Sequence, residues 1–359
     1  MEELKPSFNR FFFRLSLKEK MLFARNLEVM ISSGMQILQS LEILKKQTRS
    51  KVFISILDQL IMDLKNGHFL SVGLERYRSI FGEFFINLIR VGEASGTLSE
   101  NLKYLSEEIS KKAELKKKVK GAMVYPIIIL VATLGITGIL TFFIFPKILP
   151  VLKNINVPLP GITLFFIWFS EFMLANGLWV LLGMVALIIG TILLLRIQSV
   201  RERWQAAQLH IPILNNMVKT VNLITFARTL GLLLKAGVKI VEAMEITSNT
   251  LSNAVYRKEV KAISENIRQG DSMSSHLISR PNLFPPLFSQ MILVGENTGK
   301  MDESFLFLGN FYESEMDEAT KSMSNFMEPA LLLLMGLIVG FVALAIITPI
   351  YKVTQTLGR

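Results

Sequence analysis

The sequence predicts an all-α membrane protein: two repeated cytoplasmic helical bundles of about six helices each, with three transmembrane helices. Three observations carry that prediction. Hydrophobic residues make up 51% of the chain and its mean hydropathy is +0.44, a composition suited to lipid contact. Three stretches are free of charge: Ala122 to Phe145, about Phe172 to Leu195, and about Ala330 to Ile350. The first would extend about 36 Å as a helix, enough to cross a hydrocarbon core of about 30 Å. Finally, residues 23–126 align without a gap onto 226–329. A period that long marks a duplicated domain and not a solenoid.

In chain order, residues 1–16 form a basic leader with Phe11, Phe12 and Phe13 between Arg10 and Arg14. It has no long apolar region or small-residue cleavage site, so no signal peptide is expected. The first bundle occupies 17–121. Apolar residues recur at helical spacing from Phe23 to Lys46 and from Val52 to Leu64. Gly34 and Gly67 suit helix C-caps, and Gly237 and Gly270 take their places in the second copy. Helices are predicted over Phe84–Ser95 and from Leu98 to about Lys120, with Thr97 and Glu100 spaced as a capping box. Lys300 replaces Thr97 in the second copy, where Asp302 and Glu303 still bring negative charge to the first turn. The remaining segments are a span at 122–145, an external loop at 146–171, a second span at 172–195, the second bundle at 196–328, a third span at 329–351 and an external tail at 352–359.

Orientation follows from the basic residues. Lys111, Lys112, Lys116, Lys117, Lys118 and Lys120 precede the first span, and Arg196, Arg201 and Arg203 follow the second. These flanks belong in the cytoplasm, which puts the N-terminus inside and the C-terminus outside. Each copy ends by entering the membrane, so the second span returns the chain and both bundles face the cytoplasm about a pseudo-twofold axis along the membrane normal.

Each copy carries one signature, Val91 to Gly96 (VGEASG) and Val294 to Gly299 (VGENTG). Gly92 and Gly295 would permit close helix contact, while Gly96 and Gly299 would supply a left-handed residue between two helices. Glu93 and Glu296 fit either an internal bond to a helix end or a partner-docking surface. Pro126 and Pro329 stand where each copy enters the membrane. Gly336 and Gly340 form a small-xxx-small step that suits helix packing, and a homo-oligomer is expected.

Reactive chemistry is sparse. The chain has no Cys, which excludes disulfides and thiolate chemistry. His68, His210 and His276 show no metal-ligand spacing and read as incidental residues of polar loops. Residues 295–301, GENTGKM, resemble a phosphate loop, but the glycine spacing is one residue short and Met301 stands where a Ser or Thr must hold magnesium. No catalytic site, metal or cofactor is expected. Lys and Arg outnumber Asp and Glu in residues 1–121 and equal them in 196–328. The basic surplus crowds the membrane-proximal helix, where it suits anionic lipid, and lacks the interleaved aromatics of a nucleic-acid surface. No nucleic acid is expected.

Two helical repeats each with Val-Gly-Glu-x-x-Gly and an entry Pro, three spans, and Phe145 to Lys147 (Phe-Pro-Lys) leading to Leu159 to Thr163 (Leu-Pro-Gly-Ile-Thr) together resemble the type II secretion F family. The resemblance implies a non-enzymatic, multi-pass platform in the inner (plasma) membrane. Its implied partners are a cytoplasmic hexameric secretion or pilus ATPase, pilin or pseudopilin subunits, and other inner-membrane assembly proteins. A membrane anchor recruiting another cytoplasmic complex, or a small repeat-built transporter, are the alternatives left by the residues alone.

Overall fold

The computed structural model describes residues 15–144, 146–147 and 161–357, and every regular element among them is a helix. Most of the basic leader, the segment 148–160 and Phe145 lie outside the described residues. The first repeat builds α1 (Leu17–Ser32), α2 (Ile37–Gln47), α3 (Lys51–Lys65), α4 (Leu70–Glu75), α5 (Arg78–Phe81), α6 (Glu83–Ser95) and α7 (Leu98–Ile139). A π-helical turn, Leu140–Ile144, continues α7. Next come α8 (Gly161–Leu194) and α9 (Gln198–Gln208). The second repeat builds α10 (Pro212–Lys235), α11 (Ile240–Thr250), α12 (Ala254–Arg268), α13 (Met273–Ile278), α14 (Pro286–Thr298) and α15 (Met301–Leu357).

The two repeats match helix for helix, with one exception. Where the first has α5, the second has a turn closed by the Phe284 amide donating to the Arg280 carbonyl at 2.9 Å. The chain divides into two compact units, one of residues 1–116 and 202–317, the other of 117–201 and 318–359. Both bundles belong to the first unit and contribute to one hydrophobic core. At its centre in the first repeat Phe23 packs on Phe53, Phe81 and Phe85, with ring centroids 5.7, 5.8 and 6.1 Å away. In the second repeat Phe226 packs on Phe284 and Phe288 at 6.0 and 5.7 Å, and Tyr256 on Phe284 at 5.7 Å. Phe23, Phe53, Phe81 and Phe85 align with Phe226, Tyr256, Phe284 and Phe288, so the same four aromatic positions recur. Each such side chain stabilises its bundle by about 1.5–3 kcal/mol through burial, and each ring pair adds about 0.5–1.5 kcal/mol.

Several boundaries read from charge fall inside continuous helices. The divisions at 121/122 and 328/329 lie within α7 and α15, which pass through Pro126 and Pro329 without interruption. Charge gives way to apolar sequence there because the surroundings change, while the backbone hydrogen-bond ladder continues apart from the amide each Pro lacks. Likewise α8 begins at Gly161 and not at Phe172, so part of the expected loop is helix and Glu171 lies within an apolar helix. One charge bounded the apolar stretch in sequence without ending the helix. The tail expected from Lys352 is helical to Leu357.

In the second unit, Thr163–Leu194 has mean hydropathy 2.5 and none of its most apolar stretch is buried. The Thr163 hydroxyl donates to the Ala345 carbonyl and the Ser170 hydroxyl to the Thr141 carbonyl, both at 3.2 Å, so α8 is tied to α15 and to the π-helical turn. Asn215–Lys235 is also long and apolar, at 1.3, but 67% of it is buried. It is the core helix of the second repeat. The apolar stretches Ile127–Ile139 and Pro329–Ala345 are shorter segments of α7 and α15.

Candidate functional site: the signature corners and the clamp between repeats

The signature forms the corner between α6 and α7 in the first repeat and between α14 and α15 in the second. Gly96 and Gly299 end the leading helices with φ of 77° and 72°. A Cβ is disfavoured there, whereas glycine adopts the left-handed conformation without penalty and lets the next helix start at once. One turn earlier, Gly92 lies against α7: a Cβ at that position would stand 2.8 Å from Leu98 Cα and 3.0 Å from Asn101 Nδ2. Asn101, itself buried, donates to the Leu88 carbonyl at 2.9 Å and fastens the corner. At Gly295 a Cβ would meet Ser304 Oγ at 2.7 Å.

The signature glutamates point back into the bundle. Glu93 accepts from the amides of Leu70 and Ser71 at 2.6 and 2.9 Å, at the start of α4. Glu296 accepts from the amides of Met273 and Ser274 at 2.6 and 3.1 Å and from the Ser272 hydroxyl at 2.8 Å, at the start of α13. Both receiving helices are six residues long, too short to be stable alone. A carboxylate there satisfies free amides and complements the helix dipole. Burial acts to raise the Glu296 pKa, but the bonds from Ser274, Ser272 and Met273 outweigh it and hold the carboxyl below its ordinary value.

The cap expected locally at Thr97 and Glu100 is not formed. The Thr97 hydroxyl pairs with Ser95 Oγ at 2.7 Å, and Glu100 accepts from the Tyr104 hydroxyl. A capping box does occur at Ser16 and Glu19, where the Ser16 side chain accepts from the Glu19 amide and the Ser16 amide donates back to Glu19. That Ser-x-x-Glu spacing was the signal, and it escaped the sequence reading.

Gly34, Gly67, Gly237 and Gly270 all have positive φ. Gly336 and Gly340 face open space, since an added Cβ at either meets nothing within 4 Å. In the phosphate-loop lookalike, the Lys300 amide donates to the Gly295 carbonyl at 3.0 Å and its ammonium faces Glu303 at 3.3 Å, so the segment is a helix corner. His276 is not in a loop: it lies on α13 with Nε2 facing Glu259 at 3.0 Å and Nδ1 facing Asn266 Nδ2 at 2.9 Å. No group of three or more His, Asp or Glu among the described residues is placed to hold a metal.

Sequence reasoning missed the charged clamp that joins the repeats. Arg228 on α10, only 8% exposed, donates to Glu108 on α7 at 2.6 Å and to Glu313 on α15 at 2.5 Å. Lys111 of α7 reaches Glu313 at 3.2 Å and Asn310 at 3.4 Å. Gly309 makes room, because a Cβ there would stand 2.5 Å from Arg228 Cγ. Asn249 also donates to Glu83 across the repeats at 2.8 Å, and the Lys235 ammonium lies 4.9 Å from the centre of the Tyr104 ring. The retained Phe-Ala-Arg motif was the available signal, but its partners come from the other copy and sequence spacing does not reveal them.

Duplicated bundles stapled by internal caps, continued as long helices into apolar sequence, define a two-repeat, all-helical membrane scaffold. The profile of the family described as type II secretion system (T2SS), protein F, matches residues 23–146 and 226–349, which together make up most of the chain. The chain belongs to that family. It is 35% identical over 342 residues to a type IV pilus assembly protein PilC of Thermus thermophilus, covering 95% of this chain and 84% of that protein. It is 28% identical over 344 residues to a type II secretion system protein F of Pseudomonas aeruginosa, covering 96% and 85%. A type IV pilus assembly protein PilC of Myxococcus xanthus is 29% identical over 335 residues, covering 93% and 80%.

Proposed function

We propose that this chain is the membrane platform of a type IV pilus or type II secretion machine, coupling a cytoplasmic hexameric ATPase to the assembly of pilin-like subunits without chemistry of its own. The match of the family profile to both repeats carries this reading. The geometry supplies a means. α7 and α15 each leave a signature corner and continue as one helix into apolar sequence. A helix transmits displacement along its length, so movement imposed on a bundle reaches the lipid-facing segments of the same helix. Exposed apolar side chains such as Val131 on α7, Trp179 on α8 and Leu333 on α15 support three spans, because lipid is the solvent that tolerates them. The basic flanks support an N-in, C-out arrangement in the inner membrane, and the open faces of Gly336 and Gly340 suit contact with another copy.

The test is co-purification of the cognate ATPase with the chain reconstituted in nanodiscs, together with reporter fusions at Asn156, Asn253 and the C-terminus. ATPase retention, an internal signal at Asn253 and external signals at the other two sites are expected. Failure to retain the ATPase contradicts the coupling, and an internal signal at Asn156 contradicts the topology.

A further inference from the structure

The two Phe-Ala-Arg motifs put an arginine at the same place in each repeat, and the two arginines are served differently. Arg228 is buried and held by two carboxylates. Arg25 is exposed and pairs with no described side chain. Aligned positions explain why. Ser110 stands where the second repeat has Glu313, and Phe311 stands where the first has Glu108. Ser106 replaces Gly309, restoring the Cβ that would obstruct an arginine lying along the helix. Arg25 therefore keeps the guanidinium and lacks, at the two matching positions, both carboxylates that neutralise Arg228.

Arg25 instead borders a cleft of about 220 Å³ between α1 and α7, lined by Met21, Arg25, Ser106, Glu107, Ser110 and Lys111. The cleft is smaller than the usual range for drug-sized ligands, roughly 300–1,000 Å³. It suits one side chain and not a nucleotide. We propose that it is a docking site for the carboxylate of an Asp or Glu presented by a protein partner, which takes against Arg25 the place Glu313 takes against Arg228. A guanidinium fork matches a carboxylate in two parallel bonds, and the Lys111 ammonium and Ser110 hydroxyl add donors. Glu107 also lines the cleft, and its like-charge repulsion weighs more heavily on a doubly charged phosphate than on a single carboxylate. Because Lys111 already reaches Glu313, an incoming carboxylate competes for it and thereby acts on the clamp between the repeats.

The experiment uses the full chain in nanodiscs of zwitterionic lipid and a fluorescent hexaglutamate peptide, with hexaglutamine as the neutral probe. Arg25→Gln removes the fork. Ser110→Glu supplies the missing carboxylate in cis, and a cooperative unfolding transition at or above the wild-type temperature is the check that it folds. Lys46→Gln controls for the loss of one positive charge at an exposed site. Hexaglutamate should bind the wild type and Lys46→Gln alike, about tenfold more weakly to Arg25→Gln and Ser110→Glu, and hexaglutamine should not bind. A loss under about threefold in either of those two variants overturns the proposal. So does inorganic phosphate that displaces hexaglutamate with the same dependence on Arg25, which would make the cleft a phosphate site.

Discussion

The two repeats are alike where the backbone must turn and unlike where they face each other. Both corners use a left-handed glycine, both place a second glycine against the next helix, and both return a glutamate to a six-residue helix. At the interface the likeness ends. Arg228 sits between Glu108 of one repeat and Glu313 of the other, while Arg25 has neither partner. An ion pair joins unlike residues, so in a duplicated pair of repeats its second copy can be lost without opening the core. The retained features report what the bundle needs to fold, and the diverged ones are free to serve binding.

The largest contrast is expected between the two arginines. Arg228→Ala leaves the partly buried Glu108 without its cation and Glu313 with Lys111 alone, a kind of change that costs about 3 kcal/mol. Arg25→Ala, at an exposed position, should stay within about 0.5 kcal/mol of wild type. Denaturant midpoints of the detergent-solubilised chain measure both. Equal losses would mean that the repeats are clamped symmetrically.

A smaller contrast separates the buried glycines. Gly92→Ala drives a Cβ to within 2.8 Å of a backbone atom of α7, and overpacking of about 1–3 kcal/mol outweighs the helix propensity gained, about 1 kcal/mol. Gly295→Ala meets the Ser304 hydroxyl at 2.7 Å, which can turn away, with Ser304 Cβ at 3.0 Å and the Lys300 carbonyl at 3.3 Å beside it. We expect a net loss of about 1–2 kcal/mol for Gly92→Ala and a smaller one, about 0.5–1 kcal/mol, for Gly295→Ala, read from thermal unfolding. The reverse ranking would put the tighter corner in the second repeat.

Much of this was legible in the sequence, for identifiable reasons. Helix periodicity, the recurring Gly and the gapless repeat are local or self-referential signals, and they located the bundles and the corners. Glu93 and Glu296 could be singled out but not assigned, because the helices they cap begin 23 residues earlier. The Arg228 clamp was hidden for the same reason on a larger scale. Its partner Glu108 is 120 residues away. Helix ends were hidden wherever charge bounded an apolar stretch: Glu171 lies inside α8, and the lysines before Gly121 lie inside α7. Charge reports the surroundings of a helix, whereas its length is set by the backbone ladder.

The signature glutamates act as internal helix caps, and unfolding of Glu296→Gln beside wild type is the experiment that decides it. Replacing a carboxylate that accepts several bonds should cost about 1–2 kcal/mol at neutral pH. The Glu296 pKa is lowered from 4.5 in the folded state, so its stabilisation is complete above that value and is lost as pH falls through the depressed one. The difference between wild type and variant should therefore be largest at pH near 7 and shrink in acid, with Glu93→Gln likewise less stable than wild type and ATPase retention falling only as folded protein is lost. A Glu296→Gln chain as stable as wild type at neutral pH that nevertheless fails to retain the ATPase would rule out the capping role and make this carboxylate a docking residue.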